Sequence, residues 1–513
     1  MNAREYHDAT THSPYSVRAS AHTLDWDVKP FPFKVYTEAP AIELPRSFDT
    51  VDADTLEAIG STRDDTAPLD LARLAALLYL SAGVTRKKVY GPGVEVLFRA
   101  AASTGALYQT EVYVAAGEVS GLAPGLYHFC PGDFTLRRLR DVDVRAALAR
   151  AAADDDLARR GALLVLSAIY WRNTWKYQAR GFRHLFWDSG TMLANVFATG
   201  QALGAAPRLA VGFVDDEVNH VLGLDAERET ALELVGAGPR GAPAADAGPL
   251  PPIAPATLPL SSSEVDYPLL RDMVQASNAA TPDDVRRWRE RARATTRASA
   301  GEPPRGPMTP LPPPRTRAGR SLSDTIQRRG STRQFSHASI SALDLATTLW
   351  AATRTIPADI PFGLVDLFLI VNAVDDVAPG AYVYRPAVHA LELIHAGAFR
   401  DRASYLTLEQ ALGGDAAATV FFLTPLEALR AQWGDRGYRA ITLEAGIAGG
   451  RAYLAAYAQG FGASGLTFYD RLVVEFFAPA SSGMDAIFVT ALGQSAGRRA
   501  SPLIDRISRP ARE

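Results

Sequence analysis

Arg180-Gly181-Phe182-Arg183 and Arg436-Gly437-Tyr438-Arg439 decide how this chain is built. Ten residues after its first arginine, each stretch reaches a glycine, Gly190 or Gly446, having passed an acid at Asp188 or Glu444. Working outward, Ala123-Pro124-Gly125-Leu126-Tyr127 returns as Ala378-Pro379-Gly380-Ala381-Tyr382, and Gly60-Ser61-Thr62-Arg63 returns letter for letter as Gly330-Ser331-Thr332-Arg333. Tyr127 stands 53 residues before Arg180, and Tyr382 stands 54 before Arg436. A period this long excludes a solenoid and predicts a duplicated domain whose halves pack as an intrachain pseudo-two-fold dimer.

The bulk properties agree with two domains. A chain of 513 residues exceeds what one core organises, and 47% hydrophobic residues suffice for two cores of roughly 200 residues each. With 53 basic against 56 acidic residues, no global field draws in nucleic acid or anionic lipid. Cys130 is the single cysteine, so neither an intrachain disulfide nor a multi-thiolate metal site can form. The nine histidines show no His-Glu-x-x-His pairing, and no metal is expected. Gly-x-Gly-x-x-Gly after a strand, a Walker loop and Gly-x-Ser-x-Gly are all missing. The apolar runs at 74–84 and 161–171 are too short to span a bilayer, and no basic segment followed by an apolar core opens the chain. The expectation is a cytoplasmic protein with no membrane or nucleic-acid partner.

Four segments follow. Residues 1–50 are aromatic and proline-broken, and read as an extended strap over a preformed domain; residues 51–238 form the first domain. Residues 239–320 hold 16 of the 34 prolines and read as a linker with one polar helix, begun by Thr281-Pro282-Asp283-Asp284. Residues 321–513 form the second domain. Within the first, 94–99 and 108–114 read as strands around a tight Ala102-Ser103-Thr104-Gly105-Ala106 segment. The apolar run 161–168 reads as a buried strand just before Trp171 to Arg183.

Chemistry concentrates in three places. Lys176-Tyr177 reads either as an exposed lysine beside a packed tyrosine or as a proton-transfer pair, because a nearby cation favours phenolate and a dry pocket lowers an amine's pKa. Ser103-Thr104-Gly105 either turns the chain or lets backbone approach a flat ligand. Arg328-Arg329-Gly330-Ser331-Thr332-Arg333 reads as an anion cradle at a helix start, where the first half has Ala58-Ile59 in place of two arginines and Asp64-Asp65 after the third. The second half keeps the Arg-Gly-aromatic-Arg frame but replaces the Lys-Tyr pair by Gln432-Trp433, and it lacks the Ser-x-Gly segment. The frame is what the fold needs; the pair is what the first half adds.

On these motifs the chain resembles a SagB-type dehydrogenase, of the thiazoline/oxazoline oxidase branch of the FMN-dependent nitroreductase superfamily, in tandem form. The resemblance implies an α+β fold, two tandem domains each with an antiparallel-rich sheet wrapped by helices, and FMN at the pseudo-two-fold interface. By position it implies a phosphate held by Arg329, Ser331 and Arg333 with Arg498 or Arg499. It places Ser103, Thr104 and Gly105 along the isoalloxazine, backbone near Gly465 and Leu466 at its N5 edge, and Lys176 and Tyr177 as the catalytic pair. Since each half lacks what the other keeps, one FMN per chain is expected. The implied reaction dehydrogenates a C–N or C–C bond, azoline to azole in type, in a small molecule or a modified peptide, with a biosynthetic complex as a further partner. An NAD(P)H-dependent reductase of nitro, quinone or enone compounds, and a non-catalytic flavin- or peptide-binding module, are the alternatives.

Overall fold

The computed structural model describes residues 1–47, 51–62, 67–91, 94–295, 305–497 and 504–506. The run 160–169 forms a strand buried along its whole length, which is why it reads as continuously apolar rather than alternating. It lies inside a seven-stranded sheet whose spatial order is Ala41–Glu43, Thr135–Arg140, Gly125–Cys130, Thr110–Ala116, Arg160–Ile169, Glu229–Arg240 and Arg208–Ala210. A second seven-stranded sheet runs Met308–Pro310, Ala390–Ala396, Gly380–Arg385, Asp366–Val371, Ala418–Thr424, Asp485–Gly493 and Gly462–Gly465. In both sheets the chain visits the strands in the same order and every described pairing is antiparallel. The fold is α+β, two tandem sheets wrapped by helices, and the duplication read from short motifs extends to the whole topology.

Each half lays one long helix against the other. Gly181–Ala202 and Arg436–Gln459 cross at Gly190 and Gly446. A Cβ on Gly190 would lie 2.6 Å from the Leu443 carbonyl oxygen, and one on Gly446 would lie 2.5 Å from that of Trp187, so only glycine permits this approach. Both helices are buried nearly all round, as the center of a large core requires.

The Arg-Gly-aromatic-Arg stretches lock this crossing. Arg180 and Arg183 place their guanidiniums 3.1 and 2.6 Å from Asp470, at the start of helix Asp470–Phe476 in the second half. Arg436 and Arg439 do the same to Asp215, both at 2.6 Å, at the start of helix Asp215–Leu222 in the first half. Each carboxylate also accepts a backbone N–H from an incoming segment, His12 at 2.7 Å and Ala279 at 2.8 Å. All six charged side chains are buried, and their mutual satisfaction is what makes burial tolerable.

The connecting pieces depart from their sequence reading. Residues 1–50 are not extended throughout: Asn2 and Ser13 cap helices Ala3–Ala9 and Pro14–Ala19, and the first of these docks on the second half through Ala3 N–H to Asp435 at 2.7 Å. The described residues of 239–320 hold the expected helix, Pro282–Ala294 with Thr281 as its cap, and a second one, Pro268–Ala276. Both segments also supply edge strands, Ala41–Glu43 and Met308–Pro310, so each sheet begins upstream of the domain it completes. Strand 94–99 lies in neither large sheet. It forms a hairpin with Val84–Gly91, joined by Ile504–Arg506 from the far end of the chain.

Candidate functional site

Between the halves lies a cavity of about 1170 Å³. Lys176, Tyr177 and Ser103–Gly105 form its first-half wall; Arg329, Ser331, Arg333, Gly465 and Leu466 belong to the wall opposite. Ten of the twelve residues singled out in the sequence therefore share one cavity. Arg498 and Arg499 lie outside the described residues.

The Ser103 segment is a single tight turn, Thr104–Ala106, with Gly105 at φ +65°. A Cβ there would stand 2.8 Å from the Tyr177 hydroxyl, so a glycine brings the catalytic candidate onto the turn. Asp188, on the long helix beneath, pins the segment. It accepts from the Ser103 hydroxyl at 2.5 Å, the Thr104 hydroxyl at 2.7 Å, the Thr104 N–H at 2.9 Å and the Gln109 amide at 2.8 Å. Burial pushes the Asp188 carboxyl up to about 6, with these donors opposing the rise. Its counterpart Glu444 accepts the Gly363 and Leu364 N–H groups, so the acid that precedes each crossing glycine anchors a loop in both halves.

Lys176 and Tyr177 end the helix Tyr170–Tyr177, whose other face is tightly held. Buried Arg172 pairs with Glu111 and donates to the Tyr108 carbonyl at 3.1 Å and the Phe31 carbonyl at 3.2 Å; Trp175 donates to the Asp25 carbonyl at 2.8 Å. The helix stops at Gln178, whose φ of +52° and ψ of −144° suit glycine alone, and the matching position in the second half is Gly434, at +66° and −169°. The Lys176 ammonium stands 5.4 Å from the Tyr177 ring centroid. Burial, aided by the charge of Arg333, lowers the Lys176 pKa. Burial and then Asp188 raise that of Tyr177, with Arg333 opposing. The expectation of a cation-stabilised phenolate is thus reversed: desolvation outweighs the neighbouring cation, leaving a protonated phenol beside an amine whose charged form is disfavoured.

The cradle also differs from its reading. Gly330–Arg333 follows the C-terminus of helix Leu322–Arg328, and the next helix starts only at Ala342; likewise Gly60 ends the helix Thr55–Gly60. A helix C-terminus presents carbonyls, so no helix dipole favours an anion here and side-chain cations must do so. Arg329 is buried and donates to the carbonyls of Ala100 at 2.9 Å and Arg99 at 3.1 Å, joining the halves. Ser331 meets the Tyr453 hydroxyl at 3.2 Å, and Arg333 is exposed in the cavity wall. The Gly465 N–H donates to Tyr453 Oη at 2.5 Å and the Leu466 N–H to the Val489 carbonyl at 3.3 Å, so both amides already have protein acceptors. Sequence reasoning missed Arg86, Lys88, Tyr108, Tyr453 and Tyr457, which also line the cavity. The basic run Arg86-Lys87-Lys88, in a stretch the second half lacks, was the available signal.

Among the described residues, the pseudo-symmetric position is closed. There Ala58, Ile59 and Ser61 meet Phe197, Gln201 and the Thr355-Ile356-Pro357 segment around about 10 Å³, room for one water. Phe197 and Gln201 stand where the open site has Tyr453 and Tyr457, and the Trp350 ring lies 2.9 Å from a Cβ position on Gly60.

Residues 326–493 match the model of the nitroreductase family. Over 158 residues the chain is 30% identical to the nitroreductase-type protein MJ1384 of Methanocaldococcus jannaschii, covering 31% of this chain and 76% of that one. A nitroreductase-type protein of Anabaena variabilis, whose crystal structure was solved at 1.80 Å resolution, superposes with a TM-score of 0.76 at 27% identity, covering 96% of this chain and 99% of that chain. The chain belongs to the nitroreductase family, and by that membership it is an oxidoreductase.

Proposed function

We propose that this protein is an FMN-dependent dehydrogenase of SagB type, which oxidises a C–N or C–C bond such as that of an azoline, using one flavin per chain. The observation that carries this reading is the composite cavity: the Lys176-Tyr177 pair and the Ser103–Gly105 turn come from one half, the cationic segment Arg328–Arg333 from the other, and the twin position has about 10 Å³. The residues present fit FMN. A cationic end surrounds Gly330, small residues line a wall for a flat ring, and about 1170 Å³ exceeds the range of roughly 300–1,000 Å³ usual for one small ligand, leaving room for a substrate.

Bound FMN supplies the hydride acceptor. The chain's own residues do the rest. Lys176 Nζ, its charged form disfavoured by burial, takes the proton that leaves as the substrate's C–H bond transfers its hydride. Tyr177, kept protonated by burial and Asp188, donates its O–H to a substrate heteroatom and orients it against the turn. Asp188 holds the turn itself, through four donors, at a fixed distance from the pair.

A second reading, an NAD(P)H-dependent reductase, is favoured by the cationic lining, which suits a dinucleotide's phosphates. The absorbance spectrum of the purified protein separates the two. One flavin per chain, not bleached by NADPH but bleached by an azoline, supports the dehydrogenase. Rapid bleaching by NADPH supports the reductase, and two tightly held flavins per chain refute the composite site.

A further inference from the structure

We infer that Arg86 and Lys88, on the hairpin that only the first half carries, complete the site for the cofactor's phosphate, so that the phosphate is gripped from both halves. This rests on the FMN reading above. Strand Val84–Gly91 keeps regular register from Arg86 to Lys88, which places these two side chains on one face and Lys87 on the other. The observed contacts follow that alternation: Arg86 and Lys88 line the cavity, while Lys87 pairs with Glu95 at 2.5 Å. The Arg86 guanidinium lies over the Phe98 ring, 5.4 Å from its centroid, and one of its nitrogens stands 2.9 Å from a Cβ position on Gly330. It therefore lies directly on the segment the sequence marks as the anion cradle.

Cationic side chains predominate in the lining. Among the described lining residues there are seven cationic side chains, of which Arg320 and Arg328 pair with Asp324 outside the lining, and one carboxylate, Asp188, which is committed to the Ser103 turn. Arg329, Arg99 and Arg86 all act electrostatically on the same residue, Tyr108, so three guanidiniums gather around one point. Because Gly330–Arg333 follows a helix C-terminus, the backbone supplies no positive field, and side chains from elsewhere must make it up. A phosphate dianion, with several acceptor oxygens, matches such a cluster. Among the described residues, the second half has no corresponding hairpin in its sheet order, and the twin position includes neither Arg86 nor Lys88.

The test titrates the flavin-free full-length chain with FMN and with riboflavin, followed by flavin fluorescence, in the wild type and in Arg86→Ala, Arg86→Gln and Lys88→Ala variants. A charge-assisted hydrogen bond contributes about 1.5–3 kcal/mol, so FMN affinity should fall about 10- to 150-fold in each variant, while riboflavin affinity changes less than about 3-fold. Inorganic phosphate should compete with FMN in the wild type and compete less in the variants. Equal losses for both flavins, or undiminished FMN binding in folded variants, overturn the inference while leaving the FMN reading intact. A wild-type chain that binds neither flavin overturns both. Thermal melting identifies any variant that has not folded, and the milder Arg86→Gln change then decides.

Discussion

At the scale of single residues, burial decides the chemistry of the site. Lys176 is half-buried beside Arg333, and both effects disfavour its ammonium form. Turnover should therefore rise with pH through one ionisation below the ordinary lysine value, and Lys176→Met should lose that limb of the pH–rate profile. Tyr177→Phe should keep the limb while reducing turnover by about 10²- to 10⁴-fold. Gln178 offers a sharper test of design against strain. It holds a backbone conformation that the second half assigns to Gly434. Gln178→Gly should raise unfolding free energy by about 1–2 kcal/mol in urea titration, and Gln178→Ala should not, since alanine keeps the Cβ that causes the strain. The Lys-Tyr pair was legible because the duplicate shows what the fold retains without it. The protonation of Tyr177 was not, because desolvation depends on how deeply the helix end is set, which spacing does not encode.

At the scale of elements, the helix crossing is the feature that orders everything else. Gly446→Ala would bring a Cβ within 2.5 Å of the Trp187 carbonyl oxygen, a backbone atom that cannot rotate away. Overpacking of this kind typically destabilises by about 1–3 kcal/mol, to be read as a lowered denaturation midpoint. Flavin content should fall with it, since Asp188, which pins the Ser103 turn, is two residues from Gly190 on the facing helix. The elements read differently from the structure have local causes. Residue type assigns Gly-Ser-Thr-Arg to a helix start, but small hydroxyl residues next to glycine also follow a helix C-terminus, as they do after Arg328. The strap helices, the linker helix Pro268–Ala276 and the edge strands escape a sequence reading because three-residue strands and such short helices leave little periodic signal.

At the scale of the molecule, the two halves are held by exchanged charges. Asp470→Asn would leave Arg180 and Arg183 buried without a carboxylate, and Asp215→Asn would do the same to Arg436 and Arg439. Breaking a buried pair from one side costs about 3–5 kcal/mol, so either variant should show a markedly lower denaturation midpoint, with the two losses similar because the contacts are. Burial opposes the Asp470 charge, yet Arg180 and Arg183 outweigh it and hold its carboxyl below the usual range. By itself the sequence determined the duplication and which half carries which site motif, because a repeated chain displays its own internal control; the α+β class entered only as what the family resemblance implies. Only the tertiary structure decided that these motifs face each other across one cavity, that the twin position is closed, and that the hairpin at Arg86 reaches the opposite half's cradle. The physical reason is that each of these depends on distances between residues far apart in the chain, set by the Gly190–Gly446 crossing and the exchanged arginines.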